Sequence, residues 1–522
     1  MKRNILLIHL ESLNMLNYRY NHRLFPNLTF WESKSVSFSN YYSTATSTLM
    51  VLSDIAYGGR KSLERCQSVN WRIEEEGEEK SILDLFIEDG YMTKIFSFPS
   101  DEEAINVMGE NNFVGHGISV NQMMDEKEYQ EIVRETINSK KPFLLWICNF
   151  LSNIDFDGDV INSFENGFSK WEKGYSLIDK EVSFLMEELQ NSGKLSNTTV
   201  VFYGDHGDEV YTHGLHGGLT HAIEPYNTLI HTPMFIYDER LEPKNIQTLV
   251  CAKDLSSIVN KIVDLPERKI DIKEVPVPNN KYVYAKNMFV GQRVREKSFG
   301  KAYSVTDGRF MMMVTTRGLS MYETTLDPCC MHNLLYYYDM KNEDIVLNKE
   351  FVGKFGHHFC SMMNEETYKE INNKYNELYP HLQKYVENIY KSAGMFNRFM
   401  EMKFDEIEPP IDSNLRVIKD HCTEETFDCF ERYFIGKKVL LYGAGRYGEY
   451  CVQRVIQNGM LVAWVDSRYR EIVPINGFTI QSPDSIIDMD YDIIYIAIND
   501  SHTRYDVCNY LRKIGVSEEK II

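Results

Sequence analysis

At 522 residues the chain can bury a large core and hold more than one domain, about three by length alone. Its formal charge of -20 excludes general affinity for nucleic acid or an anionic membrane, since either would repel it at long range. No apolar run approaches the roughly 20 residues that span a bilayer, and the Met1-Lys2-Arg3 start lacks a signal peptide's apolar segment, so a cytoplasmic protein with no transmembrane segment is expected.

Asn4 to Leu10, NILLIHL, predicts a buried strand with Glu11 at its end. Phe38 to Ser47 is rich in hydroxyls, and Thr48 then begins a helical pattern closed by Gly58 and Gly59. A threonine at a helix start is a cap or lines an anion site, because free N–H groups and the helix dipole point there. Ser81 to Gly90 predicts an amphipathic helix, Tyr91 to Phe96 a strand, Pro142 to Phe150 another buried strand, and Tyr175 to Leu189 a helix stopped near Gly193. Strands alternating with helices imply a largely parallel sheet.

Thr199 to Tyr203 is again a strand, and it breaks at once into Gly204-Asp205-His206-Gly207-Asp208. The carboxyl ends of strands are where α/β sheets bind ligands. His213, His216 and His221 follow His206 within about fifteen residues. Such a mixed oxygen and nitrogen set suits a divalent metal such as zinc or manganese, the plain alternative being a histidine-rich surface loop. Glu11 and Asp205, each at a strand end, can meet in space and share that metal, although a single Glu after a strand is also commonly just solvated.

From about Lys301 to Tyr338 short aromatic and β-branched runs predict a small antiparallel sheet. Cys329 and Cys330 lie there side by side, but the ten cysteines include no CxxC pair, which argues for reduced thiols. Residues 365 to 393 read as helical around a break at Pro380, and Glu406 to Asn414 as part of a linker.

In this order the first 395 residues or so resemble the alkaline phosphatase superfamily in its sulfatase-like branch. The matching stretches are NILLIHLESL, FPNL at Phe25 to Leu28, FSNYYS, the helix with Asp179, NTTVVFYGDHGD, HTPMFIY at His231 to Tyr237, and MYETTLDPCCMHNLL at Met321 to Leu335. The resemblance implies a mostly parallel sheet flanked by helices, then a small antiparallel subdomain. It makes Glu11, Asp205, His206 and Thr48 the metal ligands. Phe38, Asn40, Ser43, Thr46 and Thr48 fall where the branch's phosphoethanolamine transferases have Phe, Asn, Ser, Thr and the nucleophilic Thr. Leu49 to Leu52 do not supply the Cys/Ser-x-Pro-x-Arg context of sulfatases, so sulfate ester hydrolysis is not expected. His216 matches the transferases' His-Gly and His213 that of sulfatases, which makes them the candidate acid or base. Asn153 stands nearest the place of a family histidine, and Gly218 at that of a family lysine.

The expected chemistry is transfer of a phospho-substituent, phosphoglycerol or phosphoethanolamine in type, from a phosphodiester or phosphate-ester substrate through phosphothreonine at Thr48 to a glycan or glycan precursor. The alternatives are a cytoplasmic phosphodiesterase or phosphatase with water as acceptor, and a noncatalytic binding protein. Beyond a linker over 396–436, residues 437–522 predict a separate domain. There a strand, the turn Gly443-Ala444-Gly445-Arg446-Tyr447-Gly448, a helix and a second strand ending in Asp466 follow one another. This order resembles Rossmann-like domains beside glycan-building enzymes. Gly443, Gly445, Gly448 and Asp466 would then hold a nucleotide or nucleotide-sugar, the alternative being a role in assembly.

Overall fold

The computed structural model of the protein describes residues 2–59, 80–97, 126–148, 164–210, 219–221, 224–275, 277–287, 302–330, 333–336, 365–392, 399–400, 402–408, 434, 436–445, 448, 451–452, 455–456, 459–472, 474, 478–498 and 501–521. The chain divides into two compact units. The first comprises Met1–Asp208, His221–Thr316 and His381–Met402, the second Glu209–Thr220, Arg317–Pro380 and Lys403–Ile522.

The core of the first unit is set by β1 (Asn4–Leu10), buried along its whole length because NILLIHL offers an apolar side chain to both faces of the sheet. Each fully buried Ile or Leu contributes about 1.5–3 kcal/mol of transfer free energy, so a strand of five such residues belongs in the middle of a sheet. There β1 lies between β4 (Phe143–Cys148) and β5 (Thr198–Gly204), parallel to both. With β2 (Val36–Tyr42), β3 (Met92–Ser97), β8 (Met234–Tyr237) and β9 (Lys244–Cys251) they form one sheet in the order β3-β4-β1-β5-β8-β2-β9.

The sheet is mostly parallel, as expected, with one exception. β8 runs antiparallel to both β5 and β2, so the sheet is mixed. Just before β8 begins, Pro233 O accepts the Gly204 N–H at 2.8 Å and so joins the two strands where β5 ends. The antiparallel sheet starts earlier than the aromatic texture implies, with β10 (Val283–Asn287) pairing with β11 (Ala302–Thr306) and β11 with β12 (Phe310–Val314). β13 (Leu319–Glu323) belongs to the second unit, as does the short antiparallel pair β6 (Glu209–Val210) and β7 (Leu219–Thr220).

The expected break at Pro380 is absent: Glu365–Ser392 is one helix with the proline inside it. Buried apolar side chains on both sides, among them Ile371, Leu378, Leu382 and Val386, outweigh the one hydrogen bond that proline removes. No helix among the described residues is long and apolar enough to cross a membrane.

Two helices place the strand ends. α1 (Met15–Tyr20) is capped by Asn14, whose side chain accepts the Asn17 N–H at 2.7 Å. α2 (Pro26–Glu32) has no side-chain cap of its own. Asp179, on the long helix Phe164–Asn191, supplies it from outside by accepting the Leu28 N–H at 2.9 Å, the Asn27 N–H at 3.2 Å and the Asn27 side-chain amide at 2.9 Å. Removing that carboxylate strands these donors in a largely buried place. Asp179→Ala is therefore expected to cost about 1–2 kcal/mol in urea unfolding, and Asp179→Asn about half of that. An unchanged midpoint in the alanine variant would remove the capping role.

In the second unit, β14 (Lys438–Tyr442) is flanked in parallel by β15 (Met460–Val465) and β16 (Ile493–Ile496). Leu440 and Leu441 point to opposite faces, so each face of this small sheet has a buried cluster of its own.

Candidate metal centre and nucleophile

Glu11 follows β1, Asp205 and His206 follow β5, and Thr48 opens α3 (Thr48–Tyr57). Because β1 and β5 are parallel and in register, with Leu10 beside Gly204, their next residues emerge side by side. Glu11, Asp205 and His206 are wholly buried and Thr48 is nearly so. The structure thus brings together all four residues expected to surround a metal.

Ser12 holds the turn after β1 in the left-handed region, at φ 55°. Its N–H donates to Asp205 Oδ1 at 3.2 Å and its hydroxyl to Glu11 Oε1 at 3.0 Å. Its carbonyl accepts the Asp208 N–H at 3.1 Å and the Tyr175 hydroxyl at 2.6 Å. One residue therefore ties both acidic strand ends to the long helix behind them. The turn after β5 has little room. A Cβ on Gly207 would stand 2.0 Å from the Thr228 carbonyl oxygen, which is why glycine is needed there.

The Thr48 hydroxyl lies 3.0 Å from His206 Nε2. His206 Nδ1 is 2.9 Å from the Gly207 carbonyl, which can only accept, so Nδ1 carries the proton and Nε2 keeps its lone pair. Burial pushes the His206 imidazole below its ordinary pKa, against the pull of Asp205. Burial alone would push the Asp205 carboxyl up, but the His206 and His9 rings prevail and hold it well below the usual carboxylate range. Asp205 Oδ2 is buried, accepts no hydrogen bond from the described residues, and faces His206 Nε2 at 3.1 Å. Two lone pairs facing one another at that distance are what a cation between them would bind, and with Glu11 and Thr48 alongside the donors suit a divalent ion.

One group at the site escapes the sequence reading, and two residues that it names turn out to be paired. His9 Nε2 is 2.9 Å from Asp205 Oδ1 and 3.2 Å from Glu11 Oε2, and the three residues are close enough to one another to share an ion. Nothing in the sequence pattern marks His9, because it lies inside the apolar run of β1. The pairing is that of His221 Nδ1 with Asp208 Oδ1 at 2.9 Å, which sets the His221 ring 4.6 Å from that of His206. His213, His216, Asn153 and Gly218 lie outside the described residues. Thr46 is buried, and Thr44, two residues before it, donates to Asp54 Oδ2 at 2.6 Å within the same segment.

In the second unit the Gly443 turn is closed from two sides. Trp464 Nε1 donates to Gly443 O at 2.7 Å, and Asp466 Oδ2 accepts the Ala444 N–H at 2.7 Å while Oδ1 accepts that of Arg468 at 2.8 Å. Gly443 has φ 108°, and a Cβ on Gly448 would stand 2.0 Å from Gly443 O, whereas one on Gly445 would meet nothing within 4 Å. Gly443, Gly448 and Asp466 therefore shape the turn.

Solved structures share this architecture at low identity. One described as a 2-O GAG sulfatase is 14% identical, covers 72% of this chain and 94% of its own, and has a TM-score of 0.50. Another, a Bacteroides thetaiotaomicron protein from work on the metabolism of multiple glycosaminoglycans, is 13% identical, covers 77% and 99%, and has a TM-score of 0.52. These likenesses concern the fold alone. No curated protein matches the chain by sequence. Residues 435–522 match the family model described as C2185-like, N-terminal. The model described as Sulfatase matches residues 3–264, half of the chain, which runs from β1 through both strand ends and the α3 threonine, and the protein belongs to that family.

Proposed function

We propose that the protein transfers a phospho-substituent, of the phosphoglycerol or phosphoethanolamine type, to a glycan or glycan precursor on the cytoplasmic side, through a phosphothreonine at Thr48. The observation that carries this reading is the Thr48 hydroxyl, 3.0 Å from His206 Nε2 at the start of a ten-residue helix. A threonine cannot become the formylglycine on which sulfate ester cleavage depends in this family, but it can attack phosphorus.

Glu11, Asp205, His206 and Thr48 would hold the divalent cation, zinc or manganese. Bound there, it would lower the pKa of the Thr48 hydroxyl and offset charge on the phosphoryl oxygens. The Thr48 oxygen forms a bond to phosphorus as the donor's ester bond breaks, and the departing alkoxide takes up a proton. An acceptor hydroxyl then loses its proton, bonds to phosphorus and releases Thr48. The histidines of the 213–221 segment are the proton carriers: His216 and His213 by resemblance, His221 by its place beside His206. The first-turn N–H groups of α3 add positive potential, since the buried Ser47 hydroxyl at its N-cap makes no capping bond to them. Residues 437–522, as a Rossmann-like domain, would hold a nucleotide-linked donor at the Gly443 turn.

The second reading, hydrolysis, differs only in the acceptor. The test is incubation with labelled CDP-activated or phospholipid donors, with and without an oligosaccharide, followed by mass spectrometry. Label is expected on the oligosaccharide. Label found solely in free small phosphate esters, whatever acceptor is present, would establish the hydrolase instead.

A further inference from the structure

His9 has no part in the chemistry above, yet it sits among the groups assigned to the cation. It is the last residue but one of β1, and Glu11 is the first residue beyond that strand, so both stand at the same strand end. Its ring is wholly buried and stacks on Tyr203 of β5, with centroids 5.7 Å apart and planes 19° from parallel. That stacking fixes the direction in which the ring edge points. Nε2 then meets Asp205 Oδ1 at 2.9 Å and Glu11 Oε2 at 3.2 Å.

Two carboxylates drawn this close repel one another, and more strongly in a buried site than in water. Both atoms facing Nε2 are acceptors, so the tautomer that fits carries its hydrogen on Nε2. Asp205 is thereby divided in function. Its Oδ1 accepts the Ser12 N–H and lies 2.9 Å from His9 Nε2, while Oδ2 is turned toward His206 Nε2.

We propose that His9 is a positioning residue for the cation site: its Nε2–H is shared between Glu11 and Asp205, spaces the two carboxylates and aims Asp205 Oδ2 at the ion, and His9 itself stays outside the ligand set. The inference rests on the reading that Glu11, Asp205 and His206 bind a divalent ion. Metal-ligating carboxylates are commonly oriented by such an outer hydrogen bond, and its loss typically weakens metal affinity 10–100-fold.

The test compares wild type with His9→Gln, His9→Asn and His9→Leu. A glutamine amide reaches about as far as Nε2, an asparagine amide does not, and leucine offers no donor. Each metal-stripped protein is titrated with Mn(II) or Zn(II) against a chromophoric chelator, and its Co(II) form is examined by visible absorption. His9→Leu and His9→Asn are expected to bind about 10–100-fold more weakly, and His9→Gln within a few-fold of wild type with unshifted Co(II) bands. At saturating metal the kcat of His9→Gln should return to near the wild-type value. If His9→Leu does not fold, the Gln and Asn variants decide the matter. Wild-type affinity in His9→Asn, or affinity in His9→Gln as weak as in His9→Asn, overturns the positioning role. Shifted Co(II) bands in His9→Gln would make His9 a ligand and also overturn it. Failure of the wild type to bind any divalent ion is a distinct result that removes the metal reading and this inference together.

Discussion

Thr48→Ala is expected to lower transfer from any phosphodiester donor by about ten-thousand-fold or more, which corresponds to about 5 kcal/mol of barrier. The magnitude follows from the role: without the hydroxyl there is no covalent route, and what remains is binding and charge stabilisation around an unreactive methyl. Thr48→Ser keeps the attacking oxygen, and the loss should be far smaller, since only the rotamer restraint of the β-branched side chain is gone. A brief reaction of wild type with donor, quenched before turnover, should leave the mass of the substituent on the peptide containing Thr48. Equal rates for wild type and Thr48→Ala on every diester tried would exclude catalysis through this residue. Cleavage confined to aryl sulfates would keep the family and remove the phosphoryl chemistry.

The second large effect is expected at Asp205. Protein purified without chelator should contain one divalent ion per chain, and Asp205→Ala should contain almost none, its affinity falling by more than about 100-fold. Two losses combine there. The ion loses Oδ2, and the Ser12 N–H loses its acceptor 3.2 Å away, a buried donor whose stranding costs about 1–3 kcal/mol. Asp205→Asn separates the two, because its amide oxygen can still accept from Ser12 while the charge is gone. It should melt nearer to wild type than Asp205→Ala and still be poor in metal. Metal content equal to wild type in both variants would show that Asp205 is not a ligand.

The strands were legible where burial on both faces leaves continuous apolar runs, as in β1, β4 and β5. They were hidden where exposure alternates. β9, KNIQTLVC, is polar over its first half because alternate residues there are partly or fully exposed, and β2 mixes hydroxyls with aromatics beside it. The six-residue α1 and seven-residue α2 are too short for a helical period to show, and they are held by caps, one of which comes from 151 residues away.

The places of Glu11, Thr48, Asp205 and His206 could be read because each stands where a strand ends or a helix begins, which is visible in the pattern. His9 could not, since a histidine inside an apolar run reads as core until the neighbouring strand supplies its partners. Ser12 and the Asp208–His221 pair depend on turn geometry, which no periodicity records. The direction of β8 was equally hidden, because a four-residue apolar strand reads the same in either orientation.

The position of β1 also bears on how the protein is made. β1 is the first strand in chain order, yet its two neighbours are β4, 139 residues further on at Leu144 against Ile5, and β5, 194 residues further on at Thr198 against Asn4. A ribosome adding about 5–20 residues per second completes this middle strand's partners some tens of seconds after β1 has emerged. During that interval an apolar strand with unsatisfied backbone groups is exposed to other chains, and such long-range parallel pairing is intrinsically slow. Production in cells should therefore respond to whatever shields NILLIHL before residue 204 is made. Lower temperature or more trigger-type chaperone should raise soluble yield through β1, while a full-length chain, once folded, has that strand wholly covered.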